Sequence, residues 1–426
     1  MRAGASIADI TPPVGIELSG GAFGPARGIL HPLQARAVVF ESGRVRAMLI
    51  SCDLLGMDEP YCTAIRRDVA GATGMPLEAV MIACTHTHGG PATVPLRGWG
   101  RPDPAYRSQL HRTLVDLSGS AMGRLTDAGL AAAVGTLEDV SVNRSLGESA
   151  GTCNFLPTML LRDGRGGPIA AVVNYACHPV NLHSNGQVTP DFPYYVERAL
   201  QEYLGAEVPV LFLNGASGDA NPRNFVPREP SEQAAETTGR RIAEKAWELL
   251  AAAEPVQGAP VAFAAGTAEL PLQPLPPAEQ LQETIDVRGA KMQQEEPSGA
   301  NWIYCGHKAA VEWATEALAL REQGPPQTAA APLQALQVGP VQIAGIPGEL
   351  FSRFGSRIIE QGPSPVTMVS TLTGGCMGYF PAPEAYEKRT YEAVDCPRFV
   401  GMQLFEPSVG ERIADSSLEL LRSLPA

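Results

Sequence analysis

The sequence predicts an α/β fold in which layered, mixed β-sheets are flanked by helices. Short runs of β-branched and apolar residues alternate along the chain with longer helical patterns, an order typical of packed α/β layers. Several of the longer patterns begin at Pro, Ser or Asp and end near Gly or Pro, as helices do. The chain has 426 residues, of which 44% are hydrophobic, so it can bury a sizeable core.

The predicted elements alternate regularly through the chain. Strands are expected at residues 46–52, 80–84, 169–176, 208–213, 341–346 and 366–371. Helices are expected at residues 103–124, 192–204, 231–253, 348–361 and 406–423. We predict a single domain over residues 1–426.

One segment differs from the rest in composition. Residues 271–331 are rich in Pro, Gln, Glu and Ala and contain two helical patterns, at 278–286 and 301–323. We predict a helical insertion or lid within the domain. A surface excursion without a role in the functional site fits the pattern equally well.

The charge and hydropathy of the chain restrict its partners and its location. The net charge is -13 without any basic tract, which argues against binding to nucleic acid or to anionic membranes. No window approaches the roughly 20 apolar residues of a membrane span, and the N-terminus lacks the apolar core of a signal peptide. The eight cysteines form no C-x-x-C pair, as expected for reduced thiols. We therefore expect a cytoplasmic protein without an integral membrane segment; monomer and homo-oligomer both remain open.

Two histidines form the most informative local feature. His86 and His88 lie between an apolar strand and a Gly-Gly-Pro turn. In an extended segment they would point the same way, at a strand end where α/β proteins often carry their chemistry. Imidazole is both the commonest metal ligand and the commonest proton shuttle. Taken alone, however, the pair fits two structural rings equally well.

Further polar side chains follow other predicted strands. His178, Glu349 and Tyr379 each come after an apolar run and close to Gly or Pro. Since strand ends converge in an α/β sheet, these groups and the histidine pair are expected to meet in one crevice. Nitrogen and oxygen ligands of this kind suit zinc. The spacing matches no short zinc motif, and Glu349 is also placed to cap a helix.

Several longer motifs resemble, in their order, those of the catalytic domain of the neutral/alkaline ceramidases. They are residues 85–91 (Thr-His-Thr-His-Gly-Gly-Pro), 174–179 (Asn-Tyr-Ala-Cys-His-Pro), 214–222 (Asn-Gly-Ala-Ser-Gly-Asp-Ala-Asn-Pro), 347–350 (Pro-Gly-Glu-Leu), and the tyrosines 379, 386 and 391 followed by Glu-Ala. Residues 9–13 and 143–145 also fit. The resemblance spans nearly the whole chain, and we expect no counterpart of the C-terminal β-sandwich of those enzymes.

The resemblance implies a zinc-dependent amidohydrolase that cleaves the C-N bond of an N-acyl or small amide through a zinc-bound water. By position, the zinc ligands would be His86, His178, Glu349 and Tyr379. Tyr379 is matched by its spacing to the two later tyrosines of its motif.

The same resemblance assigns residues to the substrate. His88 would face it as a proton donor or hydrogen-bonding group. Arg144 and Tyr391 would contact the amide and its oxyanion. The partner is therefore expected to be a small-molecule amide.

One position departs from the family. Asn221 stands where ceramidases carry a serine that is often described as the nucleophile. An amide side chain cannot attack a carbonyl but can form hydrogen bonds, so the zinc-water mechanism remains and an acyl-serine mechanism does not. Ser217 is expected to be a turn residue, since its surroundings lack the final Gly of G-x-S-x-G. A smaller amide than ceramide is expected; an ester or lactone substrate, and a non-catalytic metal-binding homologue, are the alternatives.

Three other polar residues have two interpretations each. Asp53 follows a strand and would either bind a ligand histidine or cap a helix. Asp219 would orient a ligand or water, or cap its own turn. His183 could reach the pocket, but a surface loop is the preferred prediction.

Overall fold

The computed structural model describes residues 1–20, 24–256, 258–295, 302–401 and 403–425. Its strands are β1 Arg2–Asp9, β2 Gly28–Ile29, β3 Gln34–Ser42, β4 Val45–Cys52, β5 Val80–Cys84, β6 Thr126–Thr136, β7 Ser141–Asn143, β8 Phe155–Asp163, β9 Pro168–Tyr175, β10 Gln187–Val188, β11 Val210–Asn214, β12 Ala220–Pro222, β13 Pro255–Val256, β14 Val261–Pro271, β15 Thr328–Val338, β16 Val341–Gly345, β17 Glu349–Leu350, β18 Val366–Ser370 and β19 Tyr379–Phe380. Its helices are α1 Glu59–Thr73, α2 Pro104–Met122, α3 Phe192–Leu204, α4 Glu232–Ala252, α5 Ala278–Gln294, α6 Trp302–Gln323, α7 Ser352–Gln361, α8 Pro383–Glu387, α9 Tyr391–Val394, α10 Pro397–Val400 and α11 Val409–Arg422.

Most of these strands belong to two mixed sheets. The larger sheet has the order β11-β9-β8-β6-β1-β3-β4-β5, with β13 added beside β6, and the smaller has the order β14-β15-β16-β18. The pairs β4/β5, β9/β11 and β16/β18 are parallel, and the other neighbours in the two sheets are antiparallel. This arrangement confirms the predicted fold class of mixed sheets flanked by helices.

The two sheets stack on each other, and helices cover their outer faces. Alternate residues of β9 face opposite ways: Val172 joins the core between the sheets, and Val173 joins the core beneath α3 and α4. On the other side, α7 and α11 pack Phe354 and Ile413 against the smaller sheet. A strand with helices or another sheet on both faces is apolar throughout, which is why the sequence revealed β9 and β11 clearly.

Helix α7 starts later than predicted, because the residues before it form a short strand. Glu349 pairs in parallel with Tyr379, and the Glu349 N–H donates to the Gly378 carbonyl at 2.8 Å. The chains approach so closely that a Cβ on Gly348 would lie 2.6 Å from the Gly378 oxygen. Glu349 is therefore a strand residue, and the helix begins at Ser352.

The helical insertion stands between two paired strands. β14 and β15 are antiparallel neighbours from Val261 opposite Val338 to Pro271 opposite Thr328. Between their far ends, α5 and α6 pack on each other around Leu281 and other apolar side chains. The first helix is longer than predicted, and the predicted start of the second, Asn301, lies outside the described residues. In the described part of the chain, no helix is both long enough and apolar enough to cross a membrane.

Candidate metal centre

The C-terminal ends of five strands point to one side of the molecule, and each leads into the candidate site. β5 leads to His86, β9 to His178, β11 to the turn at residues 215–219, β16 to Glu349 and β18 to Tyr379. The parallel pairs give neighbouring strands the same polarity, so their C-terminal ends lie together.

Hydrogen bonds between the two sheets fix these strand ends relative to each other. The side-chain amide of Asn174 donates to the Val369 carbonyl at 2.8 Å and accepts from the Val369 N–H at 3.0 Å. The Thr371 N–H donates to the Asn214 carbonyl at 2.9 Å. The buried side-chain amide of Asn174, in the larger sheet, thus forms hydrogen bonds with the backbone of Val369 in the smaller sheet.

Three side-chain atoms form a tight triangle at this place. His86 Nε2 lies 3.1 Å from His178 Nε2, and Glu349 Oε2 lies 3.1 Å from the first and 3.0 Å from the second. All three side chains are buried. The structure thus brings these three predicted residues together at the ends of their strands.

The protonation of the imidazoles follows from their other nitrogen atoms. His86 Nδ1 is 2.9 Å from the Leu55 carbonyl oxygen, and His178 Nδ1 is 2.7 Å from that of Ser217. A carbonyl oxygen only accepts, so each Nδ1 carries the proton. Burial, together with the nearby Arg144 guanidinium, lowers the pKa of His178 to about 3, which keeps this ring neutral. Its Nε2 therefore presents a lone pair to the triangle.

Glu349 contributes a carboxylate oxygen to the same triangle. Among the described residues, its Oε2 atom has no hydrogen-bond donor. Acceptor atoms therefore face one another without a proton between them, an arrangement that is unfavourable unless a cation lies among them.

The dimensions of the triangle fit such a cation. Zinc binds imidazole nitrogen and carboxylate oxygen at about 2.0–2.2 Å, which in a tetrahedron places the ligand atoms about 3.3–3.5 Å apart. The observed separations of 3.0–3.1 Å are close to this value. Both the kinds of ligand atom, imidazole nitrogen and carboxylate oxygen, and their spacing are suitable for a divalent metal.

His88 lies beside the triangle. Its ring centroid is 4.9 Å from that of His86, and the ligand nitrogens of His86, His88 and His178 all lie within 4.8 Å of one another. His88 Nδ1 is 2.7 Å from the Gly20 carbonyl oxygen, so it carries the proton. Burial and the adjacent imidazoles lower the pKa of His88 well below its usual value. Its Nε2 has no partner among the described residues and is free to accept a proton or a metal.

The backbone at His86 is not extended as the sequence interpretation assumed. His86 has φ of 71°, in the left-handed region that residues other than glycine rarely adopt. Its N–H donates to the Leu54 carbonyl at 2.9 Å, which holds this conformation. Such conformations concentrate at functional sites. The turn still brings the rings of His86 and His88 to the same side.

Tyr379 borders the triangle through its hydroxyl group. The oxygen lies 3.5 Å from His178 Nε2 and 3.0 Å from Arg144 Nη2, which donates to it. Burial raises the pKa of Tyr379 well above its usual value, so the phenol remains protonated in this environment. The hydroxyl is thus close enough to approach a metal held by the triangle.

Arg144 is held by several acceptors. Its Nε donates to Glu392 at 3.0 Å, Nη1 to Asn221 Oδ1 at 3.0 Å, and Nη2 to the Gly218 carbonyl at 3.0 Å. The nearby anionic groups outweigh the cost of burial and raise its pKa, so the guanidinium stays charged. Asn221 therefore acts on the site through Arg144, which it fixes in position.

A small, mostly apolar cavity adjoins the centre. About 60 Å³ of it is open to the centres of water-sized groups, and its walls include Leu55, Trp99, Tyr391 and Phe399. The Tyr391 ring centroid is 6.4 Å from that of Tyr379, and 41% of the residue is exposed. Tyr391 thus forms the cavity wall near Arg144.

His183, preferred as a surface residue, instead borders the site. Its ring centroid is 5.7 Å from that of His88, and burial and Arg144 together lower its pKa to about 4. No strand-end pattern marks this residue, because it reaches the site from the loop that follows His178.

The two aspartates have structural partners. Asp53 binds Arg36 at 3.0 Å and the Gln34 N–H at 2.9 Å, and so contacts no ligand histidine through these bonds. Asp219 accepts from the Ser352 N–H at 2.8 Å, which makes it the cap of α7. This finding removes the capping interpretation of Glu349, since α7 has no side-chain cap from its own N-cap residue.

Asp219 also shapes the turn beside the centre. It accepts from Asn143 at 2.7 Å as well as from the Ser352 hydroxyl. The same turn contains Ser217, whose carbonyl orients His178. Cys84 and Cys177, each near a histidine in the sequence, are buried with raised pKa values, mainly because of burial, and are poorly suited to act as nucleophiles.

Comparison with known proteins shows that the fold resembles those of solved structures, among them two ceramidases. No protein-family model matches the sequence, and no curated protein is significantly similar to it. The neutral ceramidase from Pseudomonas aeruginosa superposes with a TM-score of 0.72 at 20% identity, covering 100% of this chain and 75% of that chain. A ceramidase complexed with C2 gives a TM-score of 0.74 at 18% identity, covering 99% and 74%. Over its full length, the chain therefore has the ceramidase fold that its ordered sequence motifs predicted.

Proposed function

We propose that this protein is a metal-dependent amidohydrolase that cleaves the C-N bond of an N-acyl or small amide, with zinc as its metal. The observation that carries the proposal is the triangle of His86 Nε2, His178 Nε2 and Glu349 Oε2, in which acceptors face one another without a donor. The ceramidase fold of the chain supports amide hydrolysis as the reaction.

The triangle atoms would hold the metal, with the Tyr379 hydroxyl beside them. Zinc bound there would lower the pKa of a bound water to about 7 and polarise the carbonyl of the substrate. The carbonyl groups of Leu55 and Ser217 keep the two imidazoles in the tautomer that this requires. The protein thus presents its ligand atoms before any metal arrives.

His88 is the proposed proton carrier. Its low pKa means that it begins neutral, with a lone pair on Nε2. It would take a proton from the attacking water while the water oxygen bonds to the carbonyl carbon. When the C-N bond breaks, His88 would return this proton to the amine nitrogen, and the sum of the two steps is simple hydrolysis.

Arg144 and Tyr391 are the proposed partners of the carbonyl oxygen. Arg144 is already fixed by Glu392, Asn221 and a carbonyl group, so it need not reorganise as negative charge develops. Tyr391 lines the same cavity as Tyr379, to whose hydroxyl Arg144 donates. Asn221 has no nucleophilic atom, and its proposed contribution is to position Arg144.

Metal analysis and an amide panel test this function. The purified protein is expected to contain about one zinc per chain. It is expected to hydrolyse some member of a series of N-acyl amides from acetyl to palmitoyl, and to lose this activity with a chelator. Matching esters and lactones run in parallel. Turnover by protein without stoichiometric metal, or of esters alone, would contradict the proposal.

Two histidine variants separate metal binding from proton transfer. His88→Gln should keep its zinc and lose about 100-fold or more in kcat, as expected for a general acid-base residue. His86→Gln should lose the zinc itself. His111→Gln is the matched control. His111, on α2, pairs with Asp68, on α1, away from the centre. Unchanged turnover in His88→Gln would remove the role assigned to it.

A further inference from the structure

A second cavity adjoins the one at the metal centre. It offers about 380 Å³, and its walls include Arg288 of α5, His307 of α6 and Arg398 of α10; we call it the arginine cavity. Trp99, Tyr391 and Phe399 line both cavities. The two spaces therefore share an aromatic wall.

Among the described residues, the wall of the arginine cavity has two guanidinium groups, those of Arg288 and Arg398, and one carboxylate, that of Asp395. Arg288 Nη1 contacts His307 Nδ1 at 3.1 Å, and burial together with this guanidinium lowers the pKa of His307, so the ring is neutral. The carboxylate of Asp395 lies 3.7 Å from Arg398, longer than a hydrogen bond, and is largely exposed. Arg398 also lies 4.9 Å above the Trp313 ring.

The two guanidinium groups are close enough to repel. Burial and the charge of Arg288 lower the pKa of Arg398, although Asp395 acts in the opposite direction. Both arginines are half-buried. With two guanidinium groups against one carboxylate, the described wall of the cavity keeps a net positive charge, which suits an anion.

A third cavity, beside residues 95–102, provides the contrast. There Arg97 binds Glu316 at 2.7 Å, and the Gly98 N–H donates to Glu312 at 3.1 Å. Lys308 faces Glu312 at 3.9 Å. Arg97 and Lys308 thus have glutamate partners on α6, whereas Arg288 of the arginine cavity forms no ion pair with any described carboxylate.

We propose that the substrate carries a carboxylate remote from its scissile amide, and that Arg288 and Arg398 bind this group. This inference rests on the proposed amide hydrolysis. The space at the metal centre holds only a few atoms, so the rest of a substrate must extend beyond it, past Trp99 and Phe399. A guanidinium fork matches a carboxylate with two parallel hydrogen bonds.

The helical insertion then contributes directly to substrate selection. α5 carries Arg288, and α6 carries His307, so the pair forms one wall of the arginine cavity. This assigns a role to residues 271–331, for which the sequence left a lid and a passive excursion open.

Matched amides test the proposal. One pair is the mono-4-nitroanilide of suberic acid and its methyl ester, with the charge on the acyl side; the other is N-octanoyl-4-aminobenzoate and its methyl ester, with the charge on the amine side. At least one anionic amide should have a KM about tenfold or more below that of its neutral partner. In Arg398→Gln and Arg288→Gln this advantage should vanish, while kcat/KM for the neutral amide stays within about twofold. Equal KM values in the wild type, or an advantage that survives both substitutions, would overturn the proposal.

Two further variants distinguish recognition from structural support. Arg398→Lys keeps the charge but loses the fork, so its KM should be intermediate. Arg101→Gln removes an exposed arginine from the third cavity and should leave the preference unchanged. If Arg101→Gln abolishes the preference as fully as Arg288→Gln and Arg398→Gln do, the overall electrostatic potential of the protein is responsible, and the proposal is wrong.

Calorimetry separates this proposal from the proposed function. The binding of the same anionic and neutral amides is measured with Glu349→Gln protein, in which hydrolysis is not expected. The site is supported if the anionic amide binds more tightly than the neutral one and if adding Arg398→Gln abolishes this difference. This holds even if the wild-type protein cleaves no amide. Equal binding of both amides overturns the site even if amides are cleaved.

Discussion

Two buried clusters of charged and polar side chains differ in how they are completed. In one, Arg36 lies between Asp53 and Glu197, with contacts of 3.0 Å from Nη1 to the former and 3.2 Å from Nε to the latter. In the metal centre, imidazole nitrogens and a carboxylate oxygen face each other at similar distances with no donor among them. Both clusters lie within the core.

The difference supports the proposal that the Arg36 cluster is structural and the candidate metal centre is functional. The Arg36 cluster contains its own cation and donors, so it needs nothing from outside the chain. In the candidate metal centre the three facing atoms are all acceptors, and we propose that a cation from outside the chain completes them. Burial alone would not have separated them.

The largest expected effect comes from breaking the self-contained cluster. Arg36→Met leaves two buried carboxylates without a cation and should lower the free energy of unfolding by about 3–5 kcal/mol. Urea denaturation measures this change. The control is Arg46→Met, which removes an exposed partner of Glu41 and should cost less than about 1 kcal/mol. A loss below about 1 kcal/mol for Arg36→Met would show that the cluster is not needed.

Glu349→Gln, unlike Arg36→Met, should not lower the stability of the metal-free protein, but it should strongly weaken metal binding. Removing a ligand is expected to weaken zinc affinity by more than about 100-fold, beyond what outer hydrogen-bond partners contribute. Without metal, the variant should be at least as stable as the wild type, because a glutamine amide can donate to an imidazole lone pair.

Competition with a chromogenic chelator measures the affinity of Glu349→Gln, and thermal denaturation of both metal-free proteins measures their stability. Glu384→Gln, at an exposed pair with Arg353, is the control. A metal-free variant clearly less stable than metal-free wild type would contradict the acceptor-only description.

Asp219→Ala should weaken the centre indirectly. The side chain fixes the turn whose Ser217 carbonyl orients His178, so its loss should lower zinc affinity by about 10- to 100-fold. Asp163→Ala, which removes a turn aspartate that accepts from the N–H of Arg165, is the control. Affinity is measured on the folded fraction; an unchanged value would limit Asp219 to capping α7.

The smallest expected effect is a change in acid sensitivity. Burial lowers the pKa of His183 to about 4, whereas the unfolded ring titrates near 6.5. Between these values the unfolded chain binds a proton that the folded chain does not, so stability falls as the pH falls through this window. The slope is at most about 1.4 kcal/mol per pH unit, and less for this half-buried ring.

Denaturation of metal-free protein at pH 7.0 and 5.5 tests this point. His183→Gln should lose less stability than the wild type between the two pH values. If His183→Gln matches the wild type, the ring is not held neutral by burial. The expected outcome would show that a neutral imidazole borders the candidate metal centre, whereas the Arg36 cluster contains a charged guanidinium.

Much of the fold was predictable because local sequence carries its signal. The six predicted strands lie within two residues of observed ones, since each is an apolar run bounded by turn residues. Strands such as β6 escaped prediction, because Thr-Asp-Ala-Gly-Leu-Ala-Ala-Ala-Val-Gly-Thr has little intrinsic preference for a strand. Its pairing with β8 and β1 decides its conformation.

The sequence by itself determined the α/β class, the two helical patterns that became α5 and α6, and the residues that follow the predicted strands, because each depends on spacing within one segment. Only the tertiary structure decided that Leu55, Ser217 and Gly20 orient the imidazoles, since any residue has a carbonyl group. It also decided that Glu349 lies in a strand and that Asp53 belongs to Arg36. These outcomes depend on contacts between distant segments, and a linear pattern does not encode distance in space.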